Sequence, residues 1–166
     1  MSQNMSSPID PDRFRQVLSQ YPTGVVVVTA IRPNGDAVGM TVGSFTSVSL
    51  DPPLVAFVPA KLSSSWKSLR ESGRSFCVNV LAANQQDVCR AVAMRKDNKF
   101  DGIPWIPSRN GNPVVAGSVA YIDCALEATH DAGDHDIVIG RVLELEVMSA
   151  DDPLVFFRGG YGSFSP

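Results

Sequence analysis

Cysteine is scarce in this chain: Cys77, Cys89 and Cys124 are the only three among 166 residues. An odd count without a Cys-x-x-Cys pair argues against a disulfide framework and against a thiolate zinc site. Apolar neighbours around all three predict buried, reduced thiols. A basic excess is missing too. With 14 Lys+Arg against 17 Asp+Glu the net charge is −3, so no field for nucleic acid or an anionic membrane is expected. Long apolar runs are absent. Val25 to Ala30, with one Thr inside, is far short of the roughly 20 residues that span a bilayer. The first residues carry no charge before Asp10 and do not form a secretory signal; a cytoplasmic location is expected. No Gly-x-Ser-x-Gly elbow is present, which disfavours a serine hydrolase. No Gly-x-Gly-x-x-Gly follows a strand, so any nicotinamide site is not of the Rossmann kind.

What is present describes a globular protein: 44% hydrophobic and 19% charged residues lie in the range that folds, and 166 residues point to one domain. Residues 1–9 read as a disordered tail and 10–166 as a single domain. Asp10-Pro11 is a helix start, an acceptor cap followed by proline. Phe14, Val17, Leu18 and Tyr21 follow at i, i+3, i+4, i+7, which predicts a short amphipathic helix. Val25 to Ala30 predicts a buried strand. Pro33-Asn34-Gly35-Asp36 is turn chemistry, and Val38 to Leu50 predicts the returning strand of a hairpin. Further strands are expected at 54–58, 76–81, 119–129, 137–148 and 154–157. Short helices are expected at 65–71 and, capped by Asn84, up to about Met94. Residues 95–117 read as a long loop. About seven strands, not alternating with helices, disfavour a doubly wound sheet. The expected class is mainly β, an antiparallel barrel in which closure removes exposed edges.

The most informative stretch is Gly39 to Val55. It holds five hydroxyl side chains and two glycines in a segment that otherwise reads as strand. Glycine inside a strand often marks close approach of a ligand or another backbone. Such a strand suits a polar, planar, hydrogen-bonding ligand; the plain alternative is a strand with surface hydroxyls. Asp51-Pro52-Pro53 ends it, because proline lacks an N–H. Ser63-Ser64-Ser65 precedes a predicted helix, where hydroxyls and free N–H groups make either an anion site or simple N-capping. Asn79 sits in an apolar strand and needs buried partners. It is expected to bond the backbone near the ligand loop or to support a dimer. His130 reads as structural.

Several segments, taken in order, resemble the short-chain flavin reductases of the FMN-binding split-barrel fold. They are Pro22-Thr23-Gly24-Val25, Gly39-Met40-Thr41, Ser44 to Leu54, Ser64-Ser65, Phe76 to Leu81, Lys99-Phe100, Gly133-Asp134-His135 and Arg158-Gly159-Gly160-Tyr161. Ala120 to Cys124 and Phe157-Arg158-Gly159 are closest to reductases that serve aromatic and steroid-ring hydroxylases. The resemblance implies an antiparallel split β-barrel. It implies an enzyme that moves hydride from NADH (NADPH possible) to FMN or FAD and supplies a separate flavin-dependent oxygenase component. It also implies a homodimer with flavin near the subunit interface, the helix near residue 14 and the loop 95–117 being candidates for that contact or for covering the flavin. The rival reading is a non-catalytic flavin- or haem-binding split barrel.

By the same resemblance, Gly39, Met40, Thr41, Gly43 and Ser44 run along the flavin ring and ribityl chain, and Val58, Pro59 and Ala60 continue that wall. Ser64 and Ser65 meet the flavin phosphate, with Lys61 adding charge. His135 stands beside the nicotinamide as the catalytic candidate, its alternative being a surface turn histidine. Phe156, Phe157, Arg158 and Gly159 complete the nucleotide site, with Arg158 on the pyrophosphate. Two departures stand out. Gly43 replaces an Asn frequent in the family, which predicts altered flavin affinity through a closer backbone approach. Ala91 and Val92 stand where relatives place a different pair. No metal site is expected.

Overall fold

A computed structural model describes residues 8–166. The expected tail at 1–9 falls almost wholly outside these residues; Pro8 and Ile9 alone are described, exposed and without regular structure. Asp10 caps helix α1 (Pro11–Leu18), its carboxylate accepting from the N–H groups of Asp12 and Arg13. Strands β1 (Thr23–Gly24), β2 (Val26–Ile31), β3 (Ala37–Val42), β4 (Thr46–Leu50) and β5 (Pro53–Phe57) follow, then helix α2 (Ser64–Glu71) and β6 (Ser75–Val80). After a 3₁₀ turn (Ala83–Gln85) come α3 (Gln86–Met94), the short strands β7 (Trp105–Pro107) and β8 (Pro113–Val115), and the long hairpin β9 (Ala120–Ala132) and β10 (His135–Val147). Strands β11 (Leu154–Phe157) and β12 (Gly160–Ser163) end the described chain.

The main sheet has seven strands in the order β3-β2-β6-β9-β10-β5-β4, with every pairing antiparallel. Its two edge strands are neighbours in sequence. From Val42 to Thr46 the chain reaches at most about 14 Å, whereas seven strands laid flat span roughly 29 Å. The sheet must therefore curl until β3 and β4 meet, which is a barrel split along that seam. Strands β1, β11 and β12 form a separate small sheet.

Strand β2 is buried on both faces, which is why its sequence is continuously apolar. Val26, Val28 and Ala30 enter a cluster with Phe57, Trp66, Phe76 and Val138. Val25 and Val27 enter a second cluster with Leu81, Cys89, Val92, Phe100 and Leu154. Trp66 crosses Phe57 edge-on at 5.8 Å, and its indole N–H donates to Asp136 at 2.8 Å, so its polar edge is satisfied inside the core.

Several expectations are corrected. The predicted strand 38–50 is two strands on opposite sheet edges, broken at residues 43–45. Val, Thr and Ser flank the break on both sides and hid it, although the alternation slips between Val42 and Phe45. Asn84 lies inside the 3₁₀ turn; the side chain that caps there belongs to Gln85, which accepts from Ala82 N at 3.0 Å. The loop 95–117 contains the β7–β8 hairpin. The described residues hold twelve strands, more than expected, because 38–50 is two strands and because β1, β7, β8 and β12 are too short for a periodicity to register. Asn79 does not reach the ligand loop. Its amide nitrogen lies 3.1 Å from Val27 O and Thr29 Oγ1, and its carbonyl accepts from Val115 N at 2.8 Å. Helix α1 has the predicted apolar stripe, yet Phe14, Val17, Leu18 and Tyr21 are all more than half exposed. No described helix is long and apolar enough to cross a membrane.

Candidate functional site

Ser63 caps α2, its hydroxyl accepting from Trp66 N at 3.2 Å. That geometry aims the first-turn N–H groups of Ser64 and Ser65 outward at the positive end of the helix dipole. They face a cleft of about 650 Å³ between α2, β3 and residues 96–101, lined by Gly39, Ser64, Ser65, Lys99 and Phe100 among others. Lys99 Nζ donates to Ser65 Oγ at 2.6 Å and to Val92 O at 2.8 Å. Burial holds the Lys99 ammonium below the ordinary lysine range, because desolvation penalises the charged form. Two hydroxyls, a helix N-terminus and a half-buried ammonium meeting in one cleft form a set of donors suited to a phosphate monoester.

Lys99 stands 34 residues from Ser65 in sequence, and only tertiary structure brings it to α2. Lys61, expected from sequence to add charge at the phosphate, points elsewhere: its ammonium meets Asp131 and donates to Gly133 O at 2.6 Å.

The space beside the two glycines of β3 and its exit is filled by protein. A Cβ on Gly39 would sit 2.8 Å from Phe100 Cζ and 2.9 Å from Val28 O. One on Gly43 would sit 2.7 Å from Thr23 Oγ1. Packing thus accounts for both glycines. Two of the hydroxyls read as ligand donors are likewise engaged. Thr41 Oγ1 donates to Cys89 O at 3.1 Å. Ser44 Oγ accepts from Val58 N at 2.9 Å and pins the barrel seam to the end of β5. The Met40 side chain is buried in the core. Ala91 and Val92, on α3, also belong to core packing. What β3 offers to the cleft is therefore chiefly backbone.

Val58, Pro59 and Ala60 are joined to the predicted nicotinamide turn. Ala60 bridges His135, Pro59 O accepts from Asp136 N, and Asp134 O accepts from Lys61 N, each at 3.0 Å. His135 Nδ1 lies 2.7 Å from Asp134 Oδ1, and that contact holds the Asp134 carboxyl below its usual range. An ionised Asp134 fixes the proton on Nδ1 and leaves Nε2 as the other ring nitrogen. His130 is on β9 opposite Ile137.

Phe156 and Phe157 lie on β11, and Arg158 and Gly159 make the turn from it to β12. Phe156 shares a recess of about 180 Å³ with Thr23, Thr41, Gly43, Cys89 and Tyr161, so flavin and nucleotide candidates meet there. Phe157 lines a neighbouring apolar hollow with Pro22, Thr23 and Tyr161. The Arg158 guanidinium is held by Gln20 Oε1, 2.8 Å from Nε, and stacks 4.8 Å from the Phe157 ring centre. Cys77 and Cys124 are buried, and desolvation raises both thiols, Cys124 to about 12. Neither supplies a thiolate near neutral pH.

Comparison with known proteins adds to this geometry. A family model described as flavin reductase like domain matches residues 18–165. A flavin reductase of Pseudomonas putida is 55% identical over 159 residues, covering 96% of this chain and 93% of that protein. The reductase subunit HsaB of a flavin-dependent monooxygenase from Rhodococcus jostii is 48% identical over 158 residues, covering 95% and 80%. The NADH:FAD oxidoreductase of Streptomyces globisporus, solved with NAD and FAD fragments, superposes with a TM-score of 0.87 at 34% identity over 97% of this chain and 98% of that one.

Proposed function

The chain belongs to the flavin reductase like family, and on that footing we propose that it is an NAD(P)H:flavin oxidoreductase. It takes hydride from a reduced nicotinamide, passes it to FMN or FAD, and supplies the reduced flavin to a separate monooxygenase. One domain, residues 10–166, carries both sites. The observation that carries the reading for this chain's own residues is the cleft at the start of α2, where Ser64, Ser65 and Lys99 converge.

The bound flavin supplies the redox chemistry; the protein holds and orients it. Ser64, Ser65, Lys99 and the first turn of α2 take the phosphate. The backbone of Gly39 to Ser44 and of Val58 to Ala60 borders the ring. Hydride transfer needs two rings at near-attack distance rather than an acid or base on the protein. His135, oriented by Asp134, positions the nicotinamide from the Ala60 side, and Phe156, Phe157, Arg158 and Gly159 bound it on the other. Replacing His135 by alanine is expected to raise the KM for NADH roughly tenfold, the scale of one or two positioned hydrogen bonds. The flavin Kd changes less than twofold. An equal loss in flavin affinity would remove His135 from the nicotinamide site.

A homodimer accounts for apolar side chains left exposed among the described residues: the stripe of α1, and Leu50, Leu145 and Val147. Contiguous exposed apolar surface marks interfaces. Sedimentation velocity is expected to give twice the 17.8 kDa chain mass; a monomer at micromolar concentration contradicts the dimer.

A further inference from the structure

We infer that the cleft at the start of α2 selects a flavin dinucleotide over the mononucleotide, with Arg32 reading the second phosphate. The inference rests on the flavin reading above and names its substrate more closely. Ser64, Ser65 and Lys99 suffice for one phosphate, but the cleft does not stop there. Its lining also includes Arg32, Ser68 and Lys96, within a total of about 650 Å³. Ser68 follows Ser64 and Ser65 by four and three residues, which places the three hydroxyls on one face of α2 about a turn apart.

Arg32, at the end of β2, is fixed over that face. Its Nη2 donates to Ser68 Oγ at 2.6 Å. Among the described residues no carboxylate lies within ion-pair distance of it. The nearby carboxylate of Asp36, which shares the cleft, is engaged by the Asn34 amide at 2.8 Å. A half-buried guanidinium held by a neutral hydroxyl retains most of its five N–H donors, in a fork that matches phosphate oxygens. FMN has no group to meet it. The second phosphate of FAD is one bridging oxygen from the first, and we assign it to Ser68 and Arg32 in the same cleft. Asp97, also on the cleft wall, offers acceptors to ribose hydroxyls.

The test is the Arg32→Gln variant, which keeps a polar side chain but is two bonds shorter and loses the charge, with Arg32→Lys alongside it. Steady-state KM is measured for FAD and for FMN with NADH as the reductant, and for NADPH at saturating flavin; the Kd of each flavin is measured without reductant by quenching of flavin fluorescence. The ratio of KM for FAD to KM for FMN is expected to rise about tenfold in Arg32→Gln, the scale of one charge-assisted contact. Arg32→Lys, which keeps charge without the fork, falls between. Equal rises for both flavins would assign Arg32 to the phosphate they share and overturn the inference. No change in either would do the same, as would a rise confined to NADPH, which would give Arg32 to the nicotinamide nucleotide. Wild-type protein with no turnover on either flavin would sink the flavin reading itself, a result distinct from all of these.

Discussion

Replacing Lys99 by methionine weakens FMN binding by about tenfold to a hundredfold, while riboflavin, which has no phosphate, binds almost as before. The factor follows from a hydrogen bond to a charged group, about 1.5–3 kcal/mol, at roughly 1.4 kcal/mol per factor of ten. The physical basis is the position of the ammonium: it is 2.6 Å from Ser65 Oγ, in the cleft at the start of α2. Methionine keeps the stem and removes the charge. The riboflavin arm separates a ligand contact from a structural one. Lys99 also donates to Val92 O, so a variant that merely loosened residues 96–101 would lose both flavins equally, and that result would remove the phosphate assignment.

The same residue gives the binding a pH dependence. Burial lowers the Lys99 pKa in the free protein. A phosphate beside it favours the ammonium and raises the value again. Binding then takes up a proton between the two values. FMN affinity is full below the free-state pKa and falls as pH rises through it, levelling off above the bound-state pKa. Riboflavin serves as the reference without this fall. Isothermal titration at several alkaline pH values in two buffers of different ionisation enthalpy reads the proton uptake directly. An identical pH profile for the two flavins would contradict it.

Replacing Asn79 by leucine is expected to destabilise the protein by about 2–4 kcal/mol, since a buried donor or acceptor left without its partner costs about 1–3 kcal/mol and more than one is stranded here. Asn79 is fully buried. Its carbonyl is the partner of Val115 N at 2.8 Å, and its amide serves Val27 O and Pro113 O at 3.1 and 3.2 Å. It thereby ties β8 across β2 and β6. Thr29 Oγ1 still donates to Pro113 O at 2.6 Å, which keeps the loss from being larger. For a domain of this length the melting temperature should drop by roughly 5–15 °C. Urea unfolding with an unchanged slope gives the free energy. A loss below about 0.5 kcal/mol, the range of ordinary surface substitutions, would show that the network is dispensable.

Much of the fold was legible because single sequence signals carried it. Asp10-Pro11 fixed the start of α1, and the unbroken Val25–Ala30 run announced a strand buried on both faces. What escaped has physical reasons. Gly43 to Phe45 breaks a strand between two stretches of strand formers, and a slip in alternation from Val42 to Phe45 is too short a signal to mark the barrel seam. The apolar stripe of α1 is plain in the spacing of Phe14, Val17, Leu18 and Tyr21, but nothing in a sequence says whether its cover lies in the same chain. The two glycines signalled close approach, as they should; the approaching groups are Phe100 and Thr23. Hydroxyls such as Thr41 and Ser44 looked like ligand donors because composition does not reveal a backbone carbonyl arriving from α3 or β5. Lys99 and Arg32 are distant in sequence from Ser64 and from each other, and only the closing of the cleft groups them.

The most direct measurement is the rate of NADH oxidation by purified protein, followed by NADH absorbance, with FMN, FAD or no flavin added. The account predicts negligible turnover alone, saturable turnover with either flavin, and the lower KM for FAD. Bound or added flavin that leaves the NADH signal flat would contradict it, and would leave His135 and Arg158 without a nucleotide to hold.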